Sequence, residues 1–274
     1  MKKHLITALK VIGFVFAWGI TLSVAVIPVV AEPPFLSGSP AMLRLWWELL
    51  PLICILLISG IFVRFIEKKN VKILLLKAPL KNSLAGLILG SVWLGGAVLA
   101  LFLLGNLRLA GGTGASYSAV WFLSVFLNVI MQEYLARGYL FALLKDKYGV
   151  PAAVIFTSAF FTAMHAGVFE VGLFAVLNVF ATSVFLSLLL LYTESLLAPI
   201  LAHFVWNAAG CLIFGAVALA DDYPSLWNSV LSGDGLLSGG AAKIEGSAVT
   251  LIITVTLAAL IFAGLLLKRK KQKR

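Results

Sequence analysis

Eight stretches of this chain are almost wholly apolar, at 11–30, 43–63, 84–104, 118–144, 151–167, 171–191, 195–220 and 249–267. A bilayer core about 30 Å thick takes about 20 helical residues to cross. In lipid every backbone N–H and C=O must be satisfied within the protein, so only helices and closed barrels span it. These runs are continuous and lack the alternation of barrel strands. The expected fold is therefore all-α, a polytopic membrane protein of about eight transmembrane helices. Composition agrees: 62% of residues are apolar, 12% are charged and mean hydropathy is +1.07. Soluble domains lie near half apolar and a quarter charged, and disordered chains are less apolar still.

The net charge of +10 is placed with the same pattern. Lys2, Lys3 and Lys10 precede the first run. Arg64, Lys68, Lys69, Lys72, Lys77 and Lys81 lie between the second and third, and Lys145 and Lys147 between the fourth and fifth. Lys268, Arg269, Lys270, Lys271, Lys273 and Arg274 follow the last, whereas the opposite loops hold only Arg44, Arg108 and Lys243. Lys and Arg mark cytoplasmic loops. The pattern predicts a multi-pass protein, of the plasma membrane, with both termini cytoplasmic. It argues against a nucleic-acid partner, and the basic tail reads as an anchor on anionic lipid. Trp46, Trp47 and Trp121 fall near outer helix ends, as an aromatic belt would.

The first run also resembles a signal peptide, with Val29-Val30-Ala31 as a small-residue cleavage site. Its length and the seven spans that follow favour an uncleaved helix. By segment, 1–117 holds three spans and a basic loop, 118–220 a core of four, and 221–274 an outer loop, the last span and the tail. Asp221, Asp222, Asp234 and Glu245 lack the spacing of a calcium loop, so 221–247 reads as solvated. Gly111-Gly112-Thr113-Gly114 reads as a bend between spans, and Cys54 and Cys211 as small apolar packing residues.

Ionisable groups are costly in lipid, roughly 2.5–3.5 kcal/mol each on insertion scales, and usually functional. The fourth run carries Gln132, Glu133 and Arg137, the fifth His165, and the seventh His203 and Asn207. Glu48 lies close enough to its helix end to reach the interface. Glu133 and Arg137 share a helix face at i,i+4, as do His203 and Asn207. At about 1.5 Å per residue, Glu133 lies about 17 Å deep, His165 about 21 Å, His203 about 12 Å and Asn207 about 18 Å. Singly, each has a structural explanation as an ion pair, a packed His or an interhelical amide. Together they form a set suited to water activation. A carboxylate or imidazole can take a proton, and an amide or imidazole N–H can stabilise an oxyanion. Glu133, His165 and His203 are also a zinc-compatible donor set, without a His-Glu-x-x-His motif behind it.

Three motifs carry a family resemblance: Gln132-Glu133-Tyr134-Leu135-Ala136-Arg137-Gly138, Phe161-Thr162-Ala163-Met164-His165, and His203-Phe204-Val205-Trp206-Asn207 after Leu197-Ala198-Pro199-Ile200. Over about 118–210 the chain resembles the CPBP family of CAAX prenyl proteases and bacteriocin-processing intramembrane proteases, including Abi proteins. The resemblance implies an intramembrane endopeptidase acting on a peptide or prenylated peptide. It gives His165 the role of water partner, His203 and Asn207 that of oxyanion donors, and Arg137 that of orienting the carboxylate.

Position 132 departs from the family's first Glu. A Gln amide does not accept a proton at neutral pH. Glu133 takes that role, or His165 acts alone, or the site is inactive and the protein binds a peptide or partner, as in bacteriocin immunity. Gln132 and Glu133 point about 100° apart on an ideal helix, so they do not exchange roles in place. Ala136 is smaller than the family's usual bulky residue. A transporter using Glu133 and Arg137 as a proton relay is a third class, disfavoured by the absence of internal repeats.

Overall fold

A computed structural model describes residues 2–25, 27–36, 38–114, 118–219 and 222–272. Ala220 and Asp221, at the expected segment junction, and Lys273 and Arg274 of the tail lie outside the described residues. The helices in order are α1 (Lys2–Ala25), α2 (Pro28–Ala31), α3 (Pro40–Ile61), α4 (Pro79–Leu103), α5 (Ser118–Tyr134), α6 (Leu140–Tyr148), α7 (Val150–Met164), α8 (Val168–Val171), α9 (Leu173–Thr193), α10 (Leu197–Asn207), α11 (Gly235–Ser238) and α12 (Ala248–Gln272). Pro40 and Pro79 open their helices, where a missing N–H costs nothing. Wide π turns continue three of them, at Phe62–Ile66, Leu135–Tyr139 and Ala208–Ile213.

Among the described residues, six helices are long and apolar enough to cross a membrane, with Val150–Met164 and Leu197–Ile213 shorter apolar helices. Large apolar side chains stand outward on them, including Phe16, Leu103 and Ile252. Exposed apolar surface on this scale is what lipid covers. The chain is a multi-pass membrane protein. Helix α1 begins at Lys2, so Lys3 and Lys10 lie within it rather than before it. The run expected to reach 220 leaves its helix at Ile213.

The chain forms two compact units, Met1–Ile73 with Tyr117–Ala153, and Leu74–Ser116 with Val154–Arg274. In the first, Phe14 of α1 packs edge-on against Phe62 and tilted against Tyr139, at 5.2 and 4.8 Å between ring centroids. Beside them Glu67 accepts hydrogen bonds from Lys10 Nζ and Tyr139 Oη, both 2.8 Å. Trp46 and Trp47 donate their indole N–H groups to the carbonyls of Val30 and Ala31, 2.7 and 2.6 Å away. The segment after α1 is thus pinned to α3.

In the second unit α4 and α10 meet with almost no side chain between them. A Cβ added at Gly86 would stand 2.5 Å from the Ala198 carbonyl oxygen, and one at Gly90 2.7 Å from that of Ala202. Small residues four apart let helix backbones approach this closely in lipid. Trp93 of α4 then fills the space beside Phe185, Leu189 and Trp206, and its indole N–H bonds Thr254 Oγ1 of α12 at 2.8 Å.

This unit corrects the expectation of a free polar outer loop. Trp227–Leu231 pairs antiparallel with Leu107–Gly111 as a two-stranded sheet. The glycine bend closes onto it, and a Cβ at Gly112 would fall 2.2 Å from the Ser225 carbonyl oxygen. Glu245, expected in solvent, accepts from Trp206 Nε1 at 3.4 Å. The two strands sit on an otherwise helical fold and leave its class unchanged.

Candidate functional site

The polar residues form two groups, one in each unit. In the first unit α5 carries Gln132 and Glu133, and the π turn carries Arg137. Glu133 Oε1 accepts from Arg137 Nη1 at 2.8 Å, and the residues are 0% and 1% exposed. A lone buried charge of either sign would be far costlier than this neutralised pair. Gly138 breaks the helical geometry directly after it, at φ −80° and ψ −114°. A Cβ there would press the Tyr134 ring at 3.2 Å. Ala136 is buried in the same turn. Wide turns of this kind recur at functional sites in helices.

Gln132 has a different set of partners. Its Nε2 donates to Asn128 Oδ1 at 2.7 Å, and Asn128 Nδ2 donates to Glu48 Oε2 at 2.8 Å. Arg44 Nη1 lies 3.7 Å from the other Glu48 oxygen. Glu48 is only 7% exposed, so it does not reach out to the interface as its position near a helix end suggested. Sequence reasoning passed over Asn128. Its signal was available, since it stands one turn before Gln132 on the same helix face.

In the second unit α7 ends at Met164, and His165 stands just past the helix rather than inside it. Its backbone N–H still bonds the Thr162 carbonyl at 3.0 Å. The ring Nδ1 lies 2.8 Å from the Phe161 carbonyl oxygen. A carbonyl only accepts, so Nδ1 carries the proton and Nε2 the lone pair of the neutral ring. The buried Phe161 ring lies 4.4 Å from His165 and 6.0 Å from His203. One aromatic wall thus serves both imidazoles. His203 and Asn207 lie one turn apart on α10, each 4% exposed. Pro199 occupies the first turn of that helix, where its ring breaks no hydrogen bond.

The structure therefore joins Glu133 to Arg137, joins Gln132 to Asn128 and Glu48, and sets both His165 and His203 beside the Phe161 ring. Among the described residues, no group of three or more His, Cys, Asp or Glu is placed to hold a metal ion. Glu133 instead shares its charge with a guanidinium.

Residues 114–209 match the family model described as type II CAAX prenyl endopeptidase Rce1-like. Over this third of its length the chain is similar to the CAAX protease family. The match takes in every residue of the three motifs. No curated protein and no solved structure matches the chain.

Proposed function

We propose that this protein is an intramembrane endopeptidase that hydrolyses a peptide bond of a peptide or prenylated peptide with an activated water. The observation that carries the reading is the imidazole arrangement in the second unit. His165 Nδ1–H is committed to the Phe161 carbonyl, which leaves Nε2 as proton acceptor. As water attacks the scissile carbonyl, His165 Nε2 takes a water proton. The oxygen of the tetrahedral intermediate gains its charge where His203 N–H and the Asn207 amide can donate. The C–N bond then breaks, and the His165 proton goes to the leaving amine. Glu133 takes the carboxylate role that the resemblance implies, oriented by Arg137. The protein sits in the plasma membrane with its termini cytoplasmic, and its basic tail lies on anionic lipid.

A second reading is favoured by one residue. Gln132 stands where the family's first Glu would be, and an amide is no base. On that reading the protein binds a peptide or partner without cutting it, as an immunity protein would. Gln132→Glu separates the two. Purified protein in liposomes is given a fluorogenic farnesylated peptide ending in a CAAX sequence. Cleavage by the wild type supports the protease, and cleavage by Gln132→Glu alone supports the inactive binder.

A further inference from the structure

The Glu48–Asn128–Gln132 chain has a direction, and chemistry sets it. A carboxylate only accepts hydrogen bonds. Asn128 must therefore turn its NH₂ toward Glu48, as it does at 2.8 Å. That leaves the Asn128 oxygen facing Gln132, which must answer with its own NH₂, as it does at 2.7 Å. Two amides are thereby locked, and the Gln132 oxygen is forced to the far end of the chain. This Oε1 is fully shielded and has no hydrogen-bond partner among the described residues. An unpaired acceptor in such a place is costly unless a donor arrives.

We propose that Gln132 Oε1 is a substrate-binding acceptor, taking a hydrogen bond from a peptide N–H, and that Glu48 and Asn128 are the positioning residues that aim it. The first motif position keeps an acceptor oxygen although it has lost its carboxylate, because the Glu48 carboxylate on α3, at the other end of the relay, fixes which end of the amide is presented. The assignment rests on the reading of the protein as a peptide-acting member of its family.

Single substitutions break the direction of the chain and a double substitution reverses it. In Glu48→Gln the relay no longer has an obligatory acceptor at its end, so both amides can turn over. In Gln132→Glu two carboxylates compete for one Asn128 amide. With both changes, position 132 is an acceptor again, Asn128 donates to it, and the amide at 48 donates to the Asn128 oxygen. Full-length protein in liposomes is assayed with the same farnesylated CAAX peptide, and its binding is followed by fluorescence anisotropy. Each single variant is expected to raise KM about tenfold, the effect of one lost hydrogen bond between neutral groups, with kcat little changed. The double variant is expected to return to within about twofold of wild type. Melting midpoints in detergent show that each variant is folded, and Asn128→Leu, which cuts the relay without adding charge, is expected to match the single variants.

If the wild type cleaves the peptide but the double variant is as poor as the combined singles, the relay is wrong and the protease reading stands. If the peptide is bound but not cleaved, the protease reading fails, and the same pattern in Kd decides the relay. If it is neither bound nor cleaved, both are overturned.

Discussion

Trp206 stacks on Trp93 with ring centroids 3.9 Å apart and planes 20° apart. Trp206 is the residue before Asn207 and stands one turn after His203, so this stack fixes the rotation of α10 and hence the direction of both polar side chains. Trp93→Ala leaves a cavity under the helix. It is expected to cost about 3–5 kcal/mol and to lower the cleavage rate as well as the melting midpoint. Trp206→Phe keeps a ring on Trp93 but loses the bond to Glu245 and part of the indole's volume, so it is expected to destabilise less than Trp93→Ala.

The approach of α4 to α10 makes the opposite kind of test. At Gly90 a new Cβ would meet Ala202 backbone atoms at 2.7 and 2.9 Å. Backbone does not yield as a side-chain tip does, so Gly90→Ala is expected to cost about 1–3 kcal/mol by overpacking. Gly95, where an added Cβ meets nothing within 4 Å, is the control. Gly95→Ala is expected to leave melting and activity unchanged or slightly improved, as read by thermal unfolding in detergent.

Arg137 is expected to be more damaging to lose than the pair as a whole. Arg137→Leu leaves the buried Glu133 carboxylate without the guanidinium now 2.8 Å away, a change of about 3–5 kcal/mol. Arg137→Leu combined with Glu133→Gln removes both charges and is expected to recover most of the melting midpoint but none of the cleavage. A double variant no more stable than Arg137→Leu would contradict this.

The turn after α9, at Glu194, carries a pH-sensitive contact. Hydrogen bonds from Lys77, and then from Lys268, hold the Glu194 carboxyl below the usual carboxylate range. Its contribution is therefore present above the unfolded carboxylate value and is lost as pH falls through the lower folded value. Glu194 is 40% exposed, so screening limits this to about 0–1 kcal/mol. Glu194 sits at φ +54°, and Gln there carries the same backbone strain. Glu194→Gln thus isolates the charge, and is expected to flatten the loss of melting midpoint between about pH 5 and pH 3.

Zinc can be tested apart from stability. Glu133 already accepts from Arg137 Nη1 at 2.8 Å, so a chelator such as phenanthroline is expected to leave the cleavage rate unchanged. Loss of activity restored by added zinc would require a different role for Glu133.

Much of this was legible in the chain. Apolar run length gave the helical membrane fold, and i,i+4 spacing gave the Glu133–Arg137 and His203–Asn207 pairs. Three things were not legible. The β strands are short, and their partners lie more than a hundred residues apart, at Leu107 and Leu231. Glu48 looked peripheral because depth along a helix says nothing about what a neighbouring helix places over it. His165 looked helical because its run stays apolar past Met164, while the side-chain bond from Nδ1 to the Phe161 carbonyl closes the helix end.

The most direct test of the proposed chemistry is the rate at which liposome-reconstituted protein cleaves the farnesylated CAAX peptide, for wild type and His165→Ala side by side. The expected result is a loss of about 10²–10⁴-fold in the variant, with a melting midpoint lowered only by the loss of the helix-end bond to the Phe161 carbonyl. Cleavage by His165→Ala at the wild-type rate would contradict the role of His165 as the base that activates water.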